Sequence, residues 1–323
     1  MAWRLRLAPE KTSIDFFRLA RVTFGASVLA VVLTIASLAV YGLNLGIDFR
    51  GGTTIRTEST QVVDVGAYRA ALAGLGLGDV SITEVFDPAF RAEQHVAMIR
   101  IQAQDGAEAV TPDTIRLIEE RLKTVDPAIT FPSVESVGPK VSSELIWSAL
   151  LAVAAGSLGI LIYVWLRFEW QFAVGTVAAL VHDVIVTMGV FSFFQLKFDL
   201  TIVAALLTIL GYSVNDTVVV FDRLRENLIK YKAMPLRDLM NLSANETLSR
   251  TLMTAMTTLI ALTCLLILGG DVIRGFVFAM LFGVIIGTYS TLYVAKNIVL
   301  YLGVNREPKD KRDTGSEFAN IDA

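Results

Sequence analysis

Charge is scarce in this 323-residue sequence. Asp, Glu, Lys and Arg make up only 18% of the residues, whereas soluble domains usually carry about 25%. Hydrophobic residues make up 54%, and the mean hydropathy is +0.59. The net charge of −3 gives no basis for a nucleic-acid partner. This composition excludes an ordinary soluble protein and predicts a polytopic membrane protein.

Side chains that bind metals or form disulfides are equally rare. Cys264 is the single cysteine, so an intramolecular disulfide is impossible, and His95 and His182 are the two histidines. These residues make a His/Cys metal site implausible. No G-x-x-x-x-G-K-[ST] motif occurs. The closely spaced Gly74, Gly76 and Gly78 follow a predicted helix instead of a strand, which indicates a turn. We therefore expect no ATPase activity, no cofactor and no metal.

Six apolar runs are present, each long enough to cross a hydrocarbon core of about 30 Å, which takes roughly 20 helical residues. They cover residues 22–43, 145–166, 172–194, 200–221, 252–268 and 275–300. The first could instead be a signal peptide, because basic residues precede it and Ser37 to Ala39 resembles a cleavage site. Its length favours a membrane span. The sequence therefore predicts six transmembrane helices.

Basic residues concentrate in connections on one predicted side of the membrane. These connections are the N-terminal arm, the two that follow the second and fourth spans, and the C-terminal tail. The opposite short connections contain only Lys197 and Arg274. The positive-inside rule then places both termini in the cytoplasm. The predicted domains are a cytoplasmic arm (1–21), the first span (22–43), a periplasmic domain (44–143), five further spans (144–302) and a cytoplasmic tail (303–323).

Residues 44–143 carry the pattern of a separate domain. Strands are predicted at 53–58, 80–86, 95–101 and 128–137, and helices at 63–75 and from Thr111, with Pro112 in the first turn. The order βαββαβ predicts a ferredoxin-like α+β domain with two helices on one face of an antiparallel sheet. The segment is acidic, with 14 Asp and Glu against 9 Lys and Arg. Ser59 is expected to be exposed.

Ionisable residues inside the predicted spans are candidate functional residues. A charge at the bilayer centre costs about 2.5–3.5 kcal/mol, so a carboxylate there needs a partner, water or a proton. In the third span, His182 and Asp183 are adjacent, and either residue could fix helix contacts or handle protons. In the fourth span, Thr208, Tyr212 and Asp216 recur every four residues, with Asn215 and Ser213 beside them. This polar stripe either joins helices by hydrogen bonds or lines a water-filled pathway. The carboxylate of Asp216 favours the water-filled pathway.

Two further features belong to the fifth and sixth spans. Arg250 is placed where it could approach the level of Asp216, although an arginine at a helix end can also be a snorkelling anchor. Gly283 and Gly287 have the G-x-x-x-G spacing, which predicts close helix packing.

Several of these motifs together resemble a known family, over nearly the whole chain. The motifs are a glycine-rich motif at 46–52 (Gly46, Asp48, Arg50, Gly51, Gly52), a Gly-Pro motif at 137–141 (Gly138, Pro139), the pair His182 and Asp183, the span and following loop at 211–227, and the start of the fifth span at 247–251. They resemble the SecF family of bacterial protein-export subunits, which is related to the resistance-nodulation-division exporters. Asn215 stands where those exporters have a second acid.

The resemblance implies a function that spacing alone does not give. It implies a multi-pass protein of the bacterial inner membrane that acts with SecD on the SecYEG channel and its associated subunits. Together they would use the proton-motive force to assist preprotein export. Asp216 would be the proton-pathway carboxylate and Arg250 its charged neighbour. Two alternatives remain open, a structural assembly subunit and half of a proton-coupled small-molecule exporter.

Overall fold

A computed structural model describes residues 12–304, except residues 79, 89, 92 and 103–109. In this part of the chain, six helical spans are long and apolar enough to cross a membrane, so the predicted polytopic α-helical architecture is confirmed. The spans are α1 (Ala20–Val40), α5 (Pro139–Arg167), α6 (Trp170–Phe193), α7 (Leu200–Lys230), α8 (Leu236–Leu268) and a last span that begins with α9 (Asp271–Ser290). The predicted cytoplasmic residues 1–11 and 305–323 lie outside the described residues.

Three helices extend beyond the apolar runs. Helix α5 already begins at Pro139, with Gly138 as its N-cap, because proline is well suited to the first turn of a helix. Residues 139–143 are therefore helical, although the sequence placed them in the external domain. Helix α7 continues to Lys230, so the motif at 221–227 is helical and not a loop. Helix α8 begins at Leu236, before the predicted fifth span. Hydropathy finds the apolar part of a helix and misses its charged ends.

The last span contains a local irregularity. A π-helical turn (Thr291–Ala295) separates α9 from α10 (Lys296–Leu302). Such turns are rare and frequently lie at functional sites. Directly after the turn, Lys296 is 1% exposed, and its Nζ lies 4.3 Å from the ring centre of Phe16 and 4.8 Å from that of Phe17. The N-terminal arm thus packs against the last span through two aromatic rings.

The segment between α1 and α5 forms the predicted α+β domain. Its elements are β2 (Gly52–Ser59), α3 (Val65–Leu72), β3 (Val80–Val85), β4 (His95–Gln102), α4 (Pro112–Val125) and β5 (Thr130–Val137). The βαββαβ order is confirmed, and the antiparallel sheet has the order β3-β4-β2-β5, which is the ferredoxin-like topology. Thr111 caps α4 by accepting a hydrogen bond from the Thr114 N–H at 3.3 Å. The predicted glycine turn follows α3. The φ angles of Gly74, Gly76 and Gly78 in this turn are +89°, +66° and +72°.

The domain also has its own hydrophobic core. Ile55 and Ile99 from the sheet, and Ile118 and Leu122 from α4, are each 0% exposed. This cluster is separate from the three clusters that involve the membrane-spanning helices. A domain with a separate core of this kind can fold without the rest of the chain.

We expect the isolated domain, residues 44–138, to be soluble, monomeric and cooperatively unfolding. Ile118→Ala should lower its free energy of unfolding by about 2–5 kcal/mol, because it opens a cavity in the core. Leu117→Ala is the matched control, since Leu117 is 42% exposed and should change stability by much less. Urea denaturation followed by circular dichroism measures both values. An unfolded product, or equal effects of the two substitutions, would contradict an autonomous domain.

Two short strands join this domain to the helical bundle. The strand β1 (Asn44–Leu45) directly precedes the domain, and β6 (Lys197–Phe198) connects α6 to α7. They pair in parallel, with Asn44 opposite Lys197. The one-turn helix α2 (Ile47–Arg50) follows β1 and leads into the sheet. The sequence predicted neither the strand pair nor this helix.

Candidate functional site

Asp216 lies near the middle of the 31-residue helix α7 and is 3% exposed. Its Oδ2 atom has no hydrogen-bond partner among the described residues. No ion pair within 4.0 Å includes this carboxylate in the described part of the chain. An unpaired carboxylate at this depth of a membrane helix is energetically costly, and protonation removes that cost.

Helix α8 supplies the neighbours of this carboxylate. Thr254 lies beside Asp216, and Arg250, one turn away on α8, is close enough to act on its charge. The Thr254 hydroxyl lies within hydrogen-bonding reach of the Asp216 carboxylate and also of the main-chain oxygens of Arg250 at 3.2 Å and Thr251 at 2.9 Å. The structure thus brings Asp216 and Arg250 together without forming a salt bridge between them.

The polar stripe of α7 divides between two faces. Ser213 and Asp216 are buried against other helices, whereas Thr208, Gly211 and Asn215 are exposed at the surface of the chain. Asn215 therefore does not share the environment of Asp216, although the two residues are adjacent. The surface next to Asp216 is polar and uncovered in this chain.

His182 and Asp183 form a second polar centre, on α6. Asp183 is 0% exposed, and its Oδ2 accepts hydrogen bonds from Ser213 Oγ of α7 at 2.7 Å and Ser290 Oγ of α9 at 2.8 Å. Its Oδ1 lies 3.1 Å from His182 Nδ1. One carboxylate therefore joins three spans. We call His182, Asp183, Ser213 and Ser290 the three-helix network.

The network continues toward α1 through an aromatic ring. The Tyr289 ring centre lies 6.3 Å from that of His182. The Tyr289 hydroxyl donates to the main-chain oxygen of Thr23 at 2.7 Å and lies 3.0 Å from Ser27 Oγ. No sequence pattern predicted the hydrogen bonds of Ser213, Ser290 and Tyr289. The sequence feature that could have indicated these contacts is the group of polar residues that directly follows the G-x-x-x-G spacing.

The predicted close packing at Gly283 and Gly287 is confirmed. A Cβ atom at Gly283 would overlap Ile209, and one at Gly287 would lie 3.1 Å from Ser213 Cβ. Both contacts are to α7, so the two glycines allow α9 to approach the helix that carries Asp216. This approach also places Ser290 within reach of the three-helix network.

The glycine-rich motif attaches the α+β domain to the start of α7. A Cβ at Gly46 would lie 3.1 Å from Lys197 Cε and 3.3 Å from Asp199 Cβ, so a larger residue would have to displace these side chains by a few tenths of an ångström. Asp48 Oδ2 accepts a hydrogen bond from the Leu200 N–H at 3.0 Å and so caps the N-terminus of α7. Gly51 and Gly52 have positive φ angles of +77° and +143°, which other residues rarely adopt.

Ion pairs hold the opposite end of α7. Asp222 pairs with Arg167 of α5 at 3.1 Å, and Arg223 pairs with Glu246 of α8 at 2.7 Å. Helix α7 is therefore attached at both ends, to the domain at one and to the neighbouring helices at the other. Asp216 lies between these two attachments.

Comparison with known proteins identifies the family. The family described as protein export membrane protein SecD/SecF, C-terminal, matches residues 117–305, and the SecD/SecF GG motif matches residues 36–61. The chain is 72% identical to a protein translocase subunit SecF from Cereibacter sphaeroides over the full length of both chains. It is 63% identical to the one from Rhodobacter capsulatus, with 98% of this chain and 97% of the relative covered.

A solved structure shares the fold as well. The crystal structure of SecDF from Thermus thermophilus, described as a translocon-associated membrane protein, superimposes with a TM-score of 0.78 at 35% identity. The match covers 92% of this chain and 39% of that longer chain. The glycine-rich motif that caps α7 lies within the matched GG segment, and Asp216, Arg250 and the three-helix network lie within the matched C-terminal region. The chain therefore belongs to the SecD/SecF family of protein-export membrane proteins, in its SecF branch.

Proposed function

We propose that this chain acts with SecD to assist preprotein export through the SecYEG channel, using the proton-motive force across the inner membrane. The observation that carries this proposal is the buried, unpaired carboxylate of Asp216 in the middle of a membrane-spanning helix. The relatives named as translocase subunits support export as the process. Asp216 is the proton-carrying group, and Arg250 senses or tunes its charge.

Proton transfer through Asp216 provides enough energy to change the packing of helices. Each elementary charge that crosses the membrane supplies about 2.3 kcal/mol per 100 mV, which biases a two-state equilibrium by roughly fiftyfold. The charged form of Asp216 is attracted by Arg250, whereas the neutral form is tolerated among apolar side chains. Alternation between these forms changes which arrangement of α7 and α8 is favoured.

The attachment of α7 supports a route from this site to the α+β domain. Asp48 caps the first turn of α7, and Gly46 packs tightly against β6 directly before it. If α7 moves as a rigid rod, it therefore displaces the α+β domain, which is attached to the N-terminus of this helix. We place this domain on the periplasmic side, where an emerging preprotein could be held and released.

The uncovered face beside Asp216 is the proposed contact with SecD. Thr208, Gly211 and Asn215 are exposed there, and polar side chains on a membrane helix generally face a protein partner or water. The SecDF chain is much longer than this one, and its remaining part supports a partner of SecD type.

For His182 and Asp183 the geometry favours a structural role. The carboxylate of Asp183 already accepts two hydroxyl hydrogen bonds and faces an imidazole, so it is satisfied without water. We propose that this pair fixes α6, α7 and α9 in register. Its participation in the proton pathway stays a prediction, which the variant Asp183→Asn tests.

The test of the proposed function uses the whole chain in cells. When the chain is depleted, preprotein release from spheroplasts should lose its dependence on the proton gradient, and plasmid-borne chain should restore it. SecD should co-purify with the chain from native membranes. Export of a small molecule by a purified homodimer, with normal preprotein release after depletion, would contradict the proposal.

The proposed orientation is tested separately by cysteine labelling. Ser59 was expected to be exposed but is 6% exposed, because it ends β2 and its Oγ accepts a hydrogen bond from the Gln61 N–H at 3.0 Å. The neighbouring Thr60 is exposed and replaces it as the labelled position.

In a Cys264→Ala background, Thr60→Cys should react with an impermeant maleimide in intact spheroplasts. Lys232→Cys, between α7 and α8, and Ser316→Cys should react only after lysis. Labelling of Ser316→Cys in intact spheroplasts would overturn the orientation.

A further inference from the structure

A basic pocket lies where the α+β domain meets the helical bundle. It has a volume of about 290 Å³, and its lining includes the basic residues Arg50, Arg100 and Lys197 and the polar residues Ser81 and Gln102. Arg100 and Gln102 belong to β4 of the domain, whereas Lys197 belongs to β6 of the bundle. The pocket is therefore formed by both parts of the chain.

Positive charge in this pocket is not fully compensated. None of its three cations forms an ion pair within 4.0 Å among the described residues. The nearby carboxylates of Asp48 and Asp199 accept hydrogen bonds from main-chain N–H groups at the start of α7. Burial and the nearby charge of Arg100 lower the pKa of Lys197, and the carboxylates of Asp199 and Asp48 offset the repulsion between the two cations only in part. An anion between them would remove that repulsion.

The pocket also lies at the level where membrane spans end. Helix α1 ends at Val40, α6 ends at Phe193, and α7 begins at Leu200, three residues after Lys197. Tyr41, Phe193 and Phe194 are each more than 60% exposed near these ends. Exposed aromatic rings of this kind are typical of the headgroup region of a bilayer.

We propose that this pocket binds the phosphate group of an anionic phospholipid. The guanidinium groups of Arg50 and Arg100 present paired N–H donors that match phosphate oxygens, and Lys197 adds a point charge. The position at the end of the spans favours a lipid over free phosphate, because the headgroup is held at this level and its acyl chains can contact the exposed rings. A bound headgroup would join the domain to the bundle through Arg100 and Lys197.

The experiment uses the full-length chain co-purified with SecD. The complex is reconstituted into phosphatidylcholine nanodiscs with and without phosphatidylglycerol, and lipids retained after detergent exchange are counted by native mass spectrometry. The wild-type complex should retain phosphatidylglycerol selectively. R100Q/K197Q should lower this retention by about tenfold or more, because charge-assisted hydrogen bonds to the phosphate are lost. R100K/K197R, which keeps both charges, should lower it much less.

The matched control is R274Q, which removes a basic residue from the first turn of α9, outside the pocket. Its lipid retention should equal that of the wild type. Equal retention by R100Q/K197Q and the wild type would overturn the proposal. Saturable binding of millimolar inorganic phosphate, with no preference for phosphatidylglycerol, would overturn the lipid assignment. Loss of SecD from R100Q/K197Q with unchanged lipid retention would assign the pocket to the partner protein instead.

Discussion

Asp216→Asn is expected to abolish gradient-dependent preprotein release while membrane insertion and SecD binding stay normal. The carboxamide has nearly the same size and hydrogen-bonding capacity as the carboxyl group, but it cannot gain or lose a proton. Because Asp216 forms no ion pair among the described residues and its Oδ2 atom has no hydrogen-bond partner there, the substitution removes titration without breaking an ion pair. Release with the gradient should therefore fall to the rate measured without it.

The measurement compares release from spheroplasts with and without a proton gradient, together with pull-down of SecD. Arg250→Ala should impair the same step less strongly, since it removes the charged neighbour but leaves the titrating group. Asp222→Asn is the matched control, because this carboxylate lies farther along α7 in an exposed ion pair that contributes at most about 1 kcal/mol. Full gradient-dependent release by Asp216→Asn would mean that the polar stripe is structural.

Asp183→Ala is expected to destabilise the bundle strongly, whereas Asp183→Asn should be tolerated. Alanine leaves Ser213, Ser290 and His182 without their shared acceptor, and breaking a buried polar network of this kind typically costs about 3–5 kcal/mol. Asparagine keeps an oxygen that accepts from both serines, and its amide group can donate to His182 Nδ1. Thermal denaturation of the purified complex should separate the two variants clearly.

The same pair of variants decides between the two roles of this carboxylate. If the network only fixes the helices, Asp183→Asn should retain gradient-dependent release. Loss of that release in a stably assembled Asp183→Asn complex would instead place Asp183 in the proton pathway. A thermal midpoint of Asp183→Ala equal to that of the wild type would contradict the structural role.

The sequence predicted those features that follow from local patterns. The apolar runs identified the six spans, and the strand and helix periodicities gave the βαββαβ order. Which face of α7 is exposed could not be predicted from the sequence. Asn215 and Asp216 are adjacent, and only the packing of the helices decides which one is buried. The hydrogen bond from Ser213 to Asp183 joins residues 30 positions apart on two different helices, and no local pattern predicts such a contact. The strands β1 and β6 have two residues each, too few to show a period.

The pairing of β1 with β6 also sets an order of events during synthesis. Asn44 Nδ2 donates to the main-chain oxygen of Gln195 at 2.9 Å, and the two residues are 151 positions apart. At about 5–20 residues per second, roughly 8 to 30 seconds separate their synthesis. The last strand of the domain ends at Val137, 58 residues before Gln195, so the domain is complete about 3 to 12 seconds before its anchor on the bundle exists. The newly made domain therefore lacks its pairing with the bundle until the turn between α6 and α7 emerges, and until then its connections to α1 and α5 alone hold it at the membrane.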